Sequence, residues 1–335
     1  MSDLQVSISP VFQPAVETVR KLCTAMAGVI RGKEDTIQLV ITALLADGHV
    51  LLEDYPGSGK TTLTKALGKL IGDDRAPEQA SHIRPFRRIQ FTPDMLPGDV
   101  LGVNVFEPKT GSFKFLYGPI FAHIVLADEI NRTGPKVQAA FLECMAEKQA
   151  TIDNTTYKLD DLFFVVGTQN PLDIAGTYPL PLVQLDRFLF RIPMSYVDAE
   201  TEVEILEEHS KILETAETLV PVCSRSEVLL ARKMVGQVHV SDPLRRTVVD
   251  IVQSTRNNPL LQFGASTRAA LMLQQAMKAW ALVHGRDFAT EDDLKFIAPF
   301  VLLHRLRFIG VGADEREALS DLIRPSIERL VNSVV

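Results

Sequence analysis

The sequence predicts an α/β fold that begins with a parallel sheet and ends in an all-α region. Three apolar runs have the length of strands buried on both faces, and each precedes polar or glycine-rich residues, at 50–52, 124–127 and 162–166. Beyond Pro221 the apolar residues return at helical spacing, and no strand pattern is visible. We therefore expect two domains, an α/β core over residues 1–195 and a linker with a helical domain over 196–335.

Composition limits the class of protein. The 335 residues are 46% hydrophobic, which is enough for a large buried core, and the formal net charge is −7. A protein that binds nucleic acid through bulk charge would be basic instead, so we expect no direct nucleic-acid binding. The three cysteines lie far apart in the chain, which excludes an evident zinc site or disulfide framework.

The sequence carries no recognisable targeting signal. Its first residues lack a basic region followed by an apolar run. No stretch approaches the roughly 18 uninterrupted apolar residues of a membrane-spanning helix. We therefore expect a cytoplasmic, soluble protein without a transmembrane segment.

Residues 49–61 combine a short apolar strand, a glycine turn and the start of a helix. Gly59 removes a side chain where backbone amides must approach an anion, and the helix directs its positive end to the same point. Lys60 would reach the β and γ phosphates of a nucleotide, and the hydroxyl of Thr61 would bind Mg²⁺. The segment therefore predicts a nucleotide triphosphate site.

One position departs from the usual pattern, which has glycine where this chain has Asp54. The Pro-Gly pair that follows restores the turn in part. Upstream, residues 29–33 interrupt two predicted helices just before the strand, which places Ile30 and Gly32 near an adenine ring. The predicted nucleotide-binding residues are Asp54, Tyr55, Pro56, Gly57, Ser58, Gly59, Lys60, Thr61, Thr62, Ile30 and Gly32.

A second motif follows the apolar run at 124–127, where Asp128 and Glu129 stand side by side. The end of a buried parallel strand delivers side chains to the crevice where open α/β sheets bind ligands. Asp128 is predicted to hold Mg²⁺, usually through water, and Glu129 to orient and deprotonate the attacking water. The same arrangement without Lys60 upstream would indicate only a solvated acidic turn.

Asn170 ends the third apolar run, at the same predicted edge as Asp128. Its amide could hydrogen-bond both the γ phosphate and the attacking water. A lone asparagine before proline is more often a turn residue, so its predicted role depends on the neighbouring motifs.

Two hairpins are predicted inside the core. The connection over residues 92–119 is too long and too rich in proline and glycine for an ordinary loop, and residues 103–106 and 112–115 alternate across a turn. A smaller hairpin is predicted at 151–158, after a helix at 135–148.

The second half of the chain is predicted to be helical. An acidic helix beginning near Asp198 leads away from the core, and Arg268 opens a long apolar helix with its side chain facing back to the core. Further helices are predicted at 226–236, 242–256, 266–284, 290–306 and 314–332.

Arg187 lies in the segment before this helical region. Leu185 and Phe188 anchor the end of a short helix against the core, which leaves Arg187 at the surface and away from its own Lys60. An ion pair with Asp186 is the alternative role for this arginine.

Several segments resemble the MoxR family of AAA+ ATPases and together span most of residues 28–192: 88–94, 118–121, 128–132, 168–171, 176–181 and 185–188. The resemblance implies an AAA+ P-loop core with a parallel five-stranded sheet between helices and an all-α lid domain. It also implies a helix-2 insert at about 92–118 and a pre-sensor-1 hairpin at about 150–158. The Asp54 segment is similar to the one that MoxR proteins carry.

The resemblance also implies residue roles and partners. Assembly into a ring, a hexamer, is expected, together with a partner protein that bears a von Willebrand factor A domain. The implied roles are Walker A for Lys60 and Thr61, Walker B for Asp128 and Glu129, sensor 1 for Asn170, arginine finger for Arg187 and sensor 2 for Arg268.

The sequence therefore predicts a Mg²⁺-dependent ATPase that hydrolyses ATP to ADP and phosphate and uses the resulting movement to remodel another protein, as a chaperone does. Two alternatives remain at this point. One is a nucleotide-gated binding scaffold with little turnover, and the other is the ATPase subunit of a metal chelatase that inserts magnesium.

Overall fold

The computed structural model describes residues 8–53, 57–80, 82–170, 176–310 and 314–334. Its centre is a five-stranded sheet in the order β10-β1-β9-β6-β3, and every neighbouring pair is parallel. The predicted α/β fold is confirmed. The strands are β1 Val50–Glu53, β3 Arg84–Gln90, β6 Ala122–Asp128, β9 Phe164–Gln169 and β10 Phe190–Pro193.

Alternation along the strands divides the core into two apolar clusters, one on each face of the sheet. Leu52 of β1 and Leu126 of β6 face the first cluster, whereas Leu51 and Val125 face the second. The sheet is therefore covered on both sides, which explains why these strands read as continuous apolar runs. The edge strand β3 does not have this apolar character, because its first five residues are exposed or only partly buried.

The helices that precede or surround the sheet are α1 Gln13–Ala27, α2 Glu34–Leu45, α3 Lys60–Leu70, α4 Pro77–Ala80, α5 Pro97–Leu101, α6 Pro135–Glu147 and α7 Leu182–Leu185. A two-residue strand, β2 Ile71–Gly72, follows α3. Two antiparallel hairpins project from this unit. They are formed by β4 Gly102–Glu107 with β5 Ser112–Tyr117, and by β7 Gln149–Ile152 with β8 Thr155–Lys158.

The remainder of the described chain is mainly helical, with α8 Ala199–Glu207, α9 His209–Thr218, α10 Arg225–Gln237, α11 Asp242–Ser254, α12 Thr267–Val283, α13 Glu291–Leu302 and α14 Glu315–Val334. The single acidic helix predicted near Asp198 is in fact two, α8 and α9. The prediction that strands are absent beyond Pro221 was wrong, because β11 Cys223–Ser224, β12 Leu261–Phe263 and β13 Arg307–Phe308 form short pairs. Strands of two or three residues are too short to show an alternating pattern.

Helices α1 and α2 connect the two parts of the molecule. They belong to the apolar cluster on one face of the sheet, and the same cluster contains the buried faces of α10 and α12. Of the helices in the described ranges, none combines the length and the apolar character that crossing a bilayer requires.

Candidate active site

Two glycines with left-handed backbone lie directly before α3. Gly57 and Gly59 have φ of 92° and 88°, a backbone conformation that side-chain-bearing residues rarely adopt. A Cβ added to either glycine would meet no atom within 4 Å, so both face open space. Lys60 is the first residue of α3 and is half-buried, while Thr61 and Thr62 are exposed. The predicted binding residues Asp54, Tyr55 and Pro56 lie outside the described residues.

A cavity of about 500 Å³ opens beside this turn, which is within the usual range for a small-molecule site. Its polar floor includes Gly57, Ser58, Gly59 and Thr62, and Ile30 contributes to an apolar wall. Gly32, with φ of 63°, lies close to α8, because a Cβ there would be 2.7 Å from the Thr201 side chain. A base could therefore stack against apolar groups while its phosphates reach the turn.

The opposite wall of the cavity was not predicted from the sequence. Helices α8 and α9 contribute Ile205, Leu206, Ile212 and Leu213 to it, and none of their residues is fully buried. An ion pair between Arg31 and Glu208, with Nη2 and Oε2 2.9 Å apart, joins the two walls. The signal that could have identified this wall is the set of apolar pairs within an otherwise acidic segment.

Asp128 and Glu129 lie at the carboxyl end of β6, and one hydroxyl organises both. The Thr168 hydroxyl donates to Oδ1 of Asp128 at 2.7 Å, and it accepts the Glu129 backbone N–H at 2.9 Å. Glu129 has φ of 56°, which turns the chain sharply after the strand. The backbone therefore separates the two carboxylates, with Asp128 nearly buried and Glu129 more exposed.

Both carboxylates have basic or amide partners, which are Arg88 and Gln90 on the edge strand β3 and Arg132 just after β6. Arg88 binds Oδ2 of Asp128 through Nη2 at 2.6 Å and Nε at 3.0 Å. Oε2 of Glu129 lies 2.9 Å from Nε of Arg132 and accepts from the Gln90 amide at 2.9 Å. These partners are all at least partly exposed, so they can exchange for a ligand without opening the core.

The residues present suit Mg²⁺. Thr61 and Asp128 offer a hydroxyl and a carboxylate, which are the hard oxygen ligands that this cation prefers. No group of three or more His, Cys, Asp or Glu residues suited to a metal occurs within the described ranges. Such a site matches a cation that keeps several waters and shares the oxygens of a substrate phosphate.

Asn170 directly follows β9, the strand that lies between β1 and β6. It is half-buried, and the preceding Gln169 donates to Glu53 of β1 at 2.5 Å. The sheet therefore brings Asn170 to the same edge as the phosphate turn and Asp128. The carboxyl ends of these strands, with Glu53, Asp128, Glu129 and Thr168, are called the carboxyl edge below.

Neither of the two predicted arginines is among the described residues that line the cavity. Arg187 is half-buried, and its Nη1 donates to the Leu142 carbonyl at 3.0 Å. Helix α6 therefore contacts one side of this partly exposed guanidinium. Arg268, at the start of α12, is 54% exposed, and its Nε lies 3.8 Å from Oδ2 of Asp186. The alternative partner of Arg187, Asp186, binds Arg305 instead.

Fold and site together define a P-loop ATPase with a helical lid. The chain matches the model of the ATPase family associated with various cellular activities (AAA) over residues 49–190, and that of the AAA lid domain over residues 253–325. It is 34% identical to Chaperone MoxR1 of Mycobacterium tuberculosis, over 96% of this chain and 81% of that protein. The chain belongs to the MoxR family of AAA ATPases.

Other comparisons agree. The chain is 44% identical to the uncharacterized protein YeaC of Bacillus subtilis, over 94% of this chain and 95% of that protein. Its structure is similar to the crystal structure of a candidate ATPase from Cytophaga hutchinsonii, with a TM-score of 0.83, 34% identity and coverage of 94% and 96% of the two chains. A magnesium-chelatase subunit, ChlI of rice, matches at 26% over 62% of this chain and 48% of that protein.

Proposed function

We propose that this ATPase hydrolyses Mg²⁺-bound ATP in an assembled ring and uses the cycle to remodel another protein. The observation that carries the proposal is the meeting of two motifs at one edge of the sheet. Lys60 follows β1, Asp128 and Glu129 end β6, and β9 lies between those strands. Ligands of open α/β sheets bind in such a crevice.

Each residue at the carboxyl edge has a proposed task. The amides of the glycine turn and Lys60 bind the phosphates, while Thr61 and Asp128 would hold Mg²⁺. Bound there, the cation neutralises charge on the phosphate oxygens. Glu129 removes the proton of the attacking water, and Asn170 orients that water against the γ phosphate.

Glu129 begins the cycle in a restrained state. Its Oε2 is shared by Arg132 and Gln90, so a water must compete with both for the carboxylate. We propose that ATP binding releases Glu129 from at least one of these partners. An isolated subunit whose Glu129 stays restrained would bind ATP and hydrolyse it slowly. A nucleotide-gated scaffold is therefore the second candidate function.

Arg187 and Arg268 are proposed to act on the ATP of a neighbouring subunit. Neither arginine lines the cavity beside the glycine turn of its own chain. Asp186 precedes Arg187 in the chain and forms an ion pair with Arg268. A transition state that spreads charge over γ-phosphate oxygens needs a planar cation, which arginine supplies. A ring, a hexamer in this proposal, would bring these cations to each ATP.

The proposed client is a separate protein, with a von Willebrand factor A domain protein as the partner to test first. Support comes from MoxR1, which is named a chaperone. The chelatase alternative is supported by a match that spans less than half of ChlI. Pull-down with a Glu129→Gln variant loaded with ATP tests both, because capture of tetrapyrrole-pathway proteins would favour the chelatase.

The chemistry is tested by comparing Lys60→Ala with Glu129→Gln. Lys60→Ala should weaken ATP binding, whereas Glu129→Gln should bind ATP normally and lose turnover by roughly 10²- to 10⁴-fold. ATP affinity and phosphate release with Mg²⁺ distinguish the two defects. Wild-type turnover by Glu129→Gln would remove Glu129 as the base, and little turnover by wild-type rings would favour the scaffold.

The trans-acting arginine is tested by mixing inactive variants. Arg187→Ala should bind ATP normally and lose roughly 10³-fold or more of its turnover. Mixing it with Lys60→Ala should restore part of the activity, because an intact ATP site then meets an intact finger. A mixture that stays inactive although mixed rings form, or an active Arg187→Ala ring, would rule out the trans finger.

A further inference from the structure

Arg305 occupies an unusual position for an arginine. It follows α13, and its side chain is 3% exposed, although it carries a charge. Burial lowers its pKa to about 10, while the nearby Asp186 carboxylate opposes that shift, so the guanidinium remains charged at neutral pH. A buried charge persists only where partners compensate it closely. Arg305 therefore has a specific structural task.

Every fixed partner of Arg305 in the core flanks Arg187. Its Nε donates to Oδ1 of Asp186 at 2.7 Å, one residue before Arg187. Its Nη2 donates to the Phe188 carbonyl at 2.7 Å, and its Nη1 to the Leu189 carbonyl at 3.3 Å. The residues on both sides of Arg187 are thus fixed to one guanidinium that belongs to the helical region.

The neighbouring His304 reinforces this link. Its Nε2 lies 3.0 Å from the Phe188 carbonyl, and the ring is fully buried. Burial and the adjacent Arg305 charge lower the pKa of His304 well below its ordinary value, so the ring is neutral. The His304-Arg305 pair therefore clamps backbone rather than binding a ligand.

Arg305 also reaches the helix that carries Arg268. Its Nη2 lies 2.8 Å from the Met272 sulfur, one turn along α12 from Arg268. Asp186 is close to both arginines, at 2.7 Å from Arg305 and 3.8 Å from Arg268. Arg305 thus links α12 and the segment after α13 to the backbone on both sides of Arg187.

We propose that Arg305 is a positioning residue for Arg187, which sets the reach of that arginine toward a neighbouring ATP according to the position of the helical region. The proposal rests on the trans-acting role of Arg187 proposed above. It adds a means by which the state of the helical region in one subunit controls hydrolysis in the next. Arg305 itself needs no contact with ATP.

The test uses Arg305→Lys, which keeps the charge but cannot span a carboxylate and two carbonyls with one ammonium group. Displacement of Arg187 by about 1 Å should reduce turnover by roughly 10- to 100-fold. ATP affinity of the variant should match that of the wild type, because the cavity residues are unchanged. Reduced turnover alone would not separate positioning from general damage, so mixing is decisive.

Mixed rings assign the defect to one side of the subunit junction. If Arg305→Lys disturbs the finger, Lys60→Ala subunits should rescue it, because they supply an intact Arg187. Arg187→Ala subunits should not rescue it, since both partners then lack a placed finger. The opposite pattern, or no rescue by either partner, would overturn the proposal, as would full activity of Arg305→Lys alone.

Two further variants keep the result interpretable. Arg286→Lys is the matched control, because Arg286 binds Asp293 through two bonds of 2.8 and 2.6 Å and the Phe288 carbonyl at 3.2 Å, all within the helical region. It should retain wild-type turnover. If thermal unfolding shows that Arg305→Lys is not folded, Asp186→Asn takes its place. Asp186→Asn should likewise be rescued by Lys60→Ala subunits and not by Arg187→Ala subunits.

The mixing of Arg187→Ala with Lys60→Ala separates the two proposals. If that pair complements and Arg305→Lys does not behave like Arg187→Ala, the positioning role is wrong and the finger stands. If that pair fails although mixed rings form, the trans finger is wrong and the positioning role falls with it.

Discussion

The two ends of β6 carry similar charged groups in opposite surroundings. At the carboxyl edge, Asp128 pairs with Arg88, whose side chain is 49% exposed. At the other end of the strand, His123 lies in a network in which Asp160 is 1% exposed and binds Arg225 at 2.8 Å. This second group, Asp73, Arg75, His123, Asp160 and Arg225, is called the amino edge together with His49, which directly precedes β1.

Burial decides what each edge can do. Asp160 also pairs with Arg75, which binds Asp73 at 2.6 Å, and this hydrogen bond holds the Asp73 pKa at about 2. Arg225 begins α10, so the amino edge fixes the helical region to the sheet. Asp160 is buried and its arginine partners are largely buried, so they exchange for a ligand less readily than the exposed partners of the carboxyl edge. The amino edge therefore stabilises the attachment of the helical region, whereas the carboxyl edge can bind a ligand.

The sharpest test makes the same substitution at both edges. Asp160→Asn removes a buried carboxylate that pairs with two largely buried arginines, Arg75 and Arg225, and should lower the free energy of unfolding by about 3–5 kcal/mol. Asp128→Asn should lower turnover by about 100-fold or more, because the carboxylate proposed to hold Mg²⁺ is lost. Denaturant unfolding and phosphate release, measured on both variants, provide the comparison.

Each variant serves as the control for the other. Asp160→Asn should keep the wild-type ATP affinity at temperatures where it is folded, and Asp128→Asn should unfold close to the wild type. The contrast between the edges fails if Asp128→Asn is the less stable of the two.

The amino edge also predicts a pH dependence. Burial lowers the pKa of His49 to about 4, and its ring accepts the Val165 N–H at 3.1 Å. Because the unfolded pKa is about 6.5, the contribution to stability is complete above pH 6.5 and decreases as the pH falls toward 4, by roughly 3 kcal/mol. Unfolding measured between pH 7 and pH 4 should show the loss.

His49→Asn should be less stable at pH 7 and should show a shallower pH dependence than the wild type. His239→Asn, at an exposed histidine, is the matched control and should keep the wild-type slope. Equal slopes for all three proteins would exclude His49 as a source of the acid sensitivity.

Thr168 tests how closely the carboxyl edge is organised. Thr168→Val removes the hydroxyl that holds both the Asp128 carboxylate and the Glu129 N–H, which should cost about 1–3 kcal/mol of transition-state stabilisation. Turnover should decrease roughly tenfold with ATP affinity nearly unchanged. Thr168→Ser keeps the hydroxyl and should retain most of the turnover, so equal losses in both variants would point to packing instead.

The smallest effect is expected at Arg88. Its exposed pair with Asp128 competes with a cation for the same carboxylate, so Arg88→Gln should lower the Mg²⁺ concentration for half-maximal turnover by about two- to fivefold. Titration of turnover with Mg²⁺ measures the shift. Arg84→Gln, at the opposite end of the same strand, should leave the Mg²⁺ dependence unchanged. A shift toward higher Mg²⁺ in Arg88→Gln would mean that Arg88 assists the site.

Local motifs account for what the sequence could predict. The glycine turn before Lys60, and the apolar run that ends at Asp128 and Glu129, are properties of consecutive residues, so their edge of the sheet followed from the pattern. Thr168 was missed although Asn170 was singled out two residues later. Its role depends on the register of β9 against β6, in which Ala127 pairs with Gly167.

Tertiary contacts account for what the sequence could not predict. Arg305 lies 119 residues from Asp186, and no periodicity links the two positions. The cavity wall formed by α8 and α9 was not predicted, because its apolar pairs are separated in the sequence by acidic residues. The short strands β11 to β13 depend on partners remote in the chain, so the local sequence contains no signal for them.

Because α1 and α2 pack against α10 and α12, they cannot complete their packing until the later helices have been synthesised. The first two helices leave the ribosome long before residue 283, where α12 ends. At 5–20 residues per second this interval lasts roughly ten to fifty seconds. During that time the apolar faces of α1 and α2 that later meet α10 and α12 remain uncovered. During synthesis this chain therefore exposes apolar surface of the kind that chaperones bind. One of its relatives is itself named a chaperone.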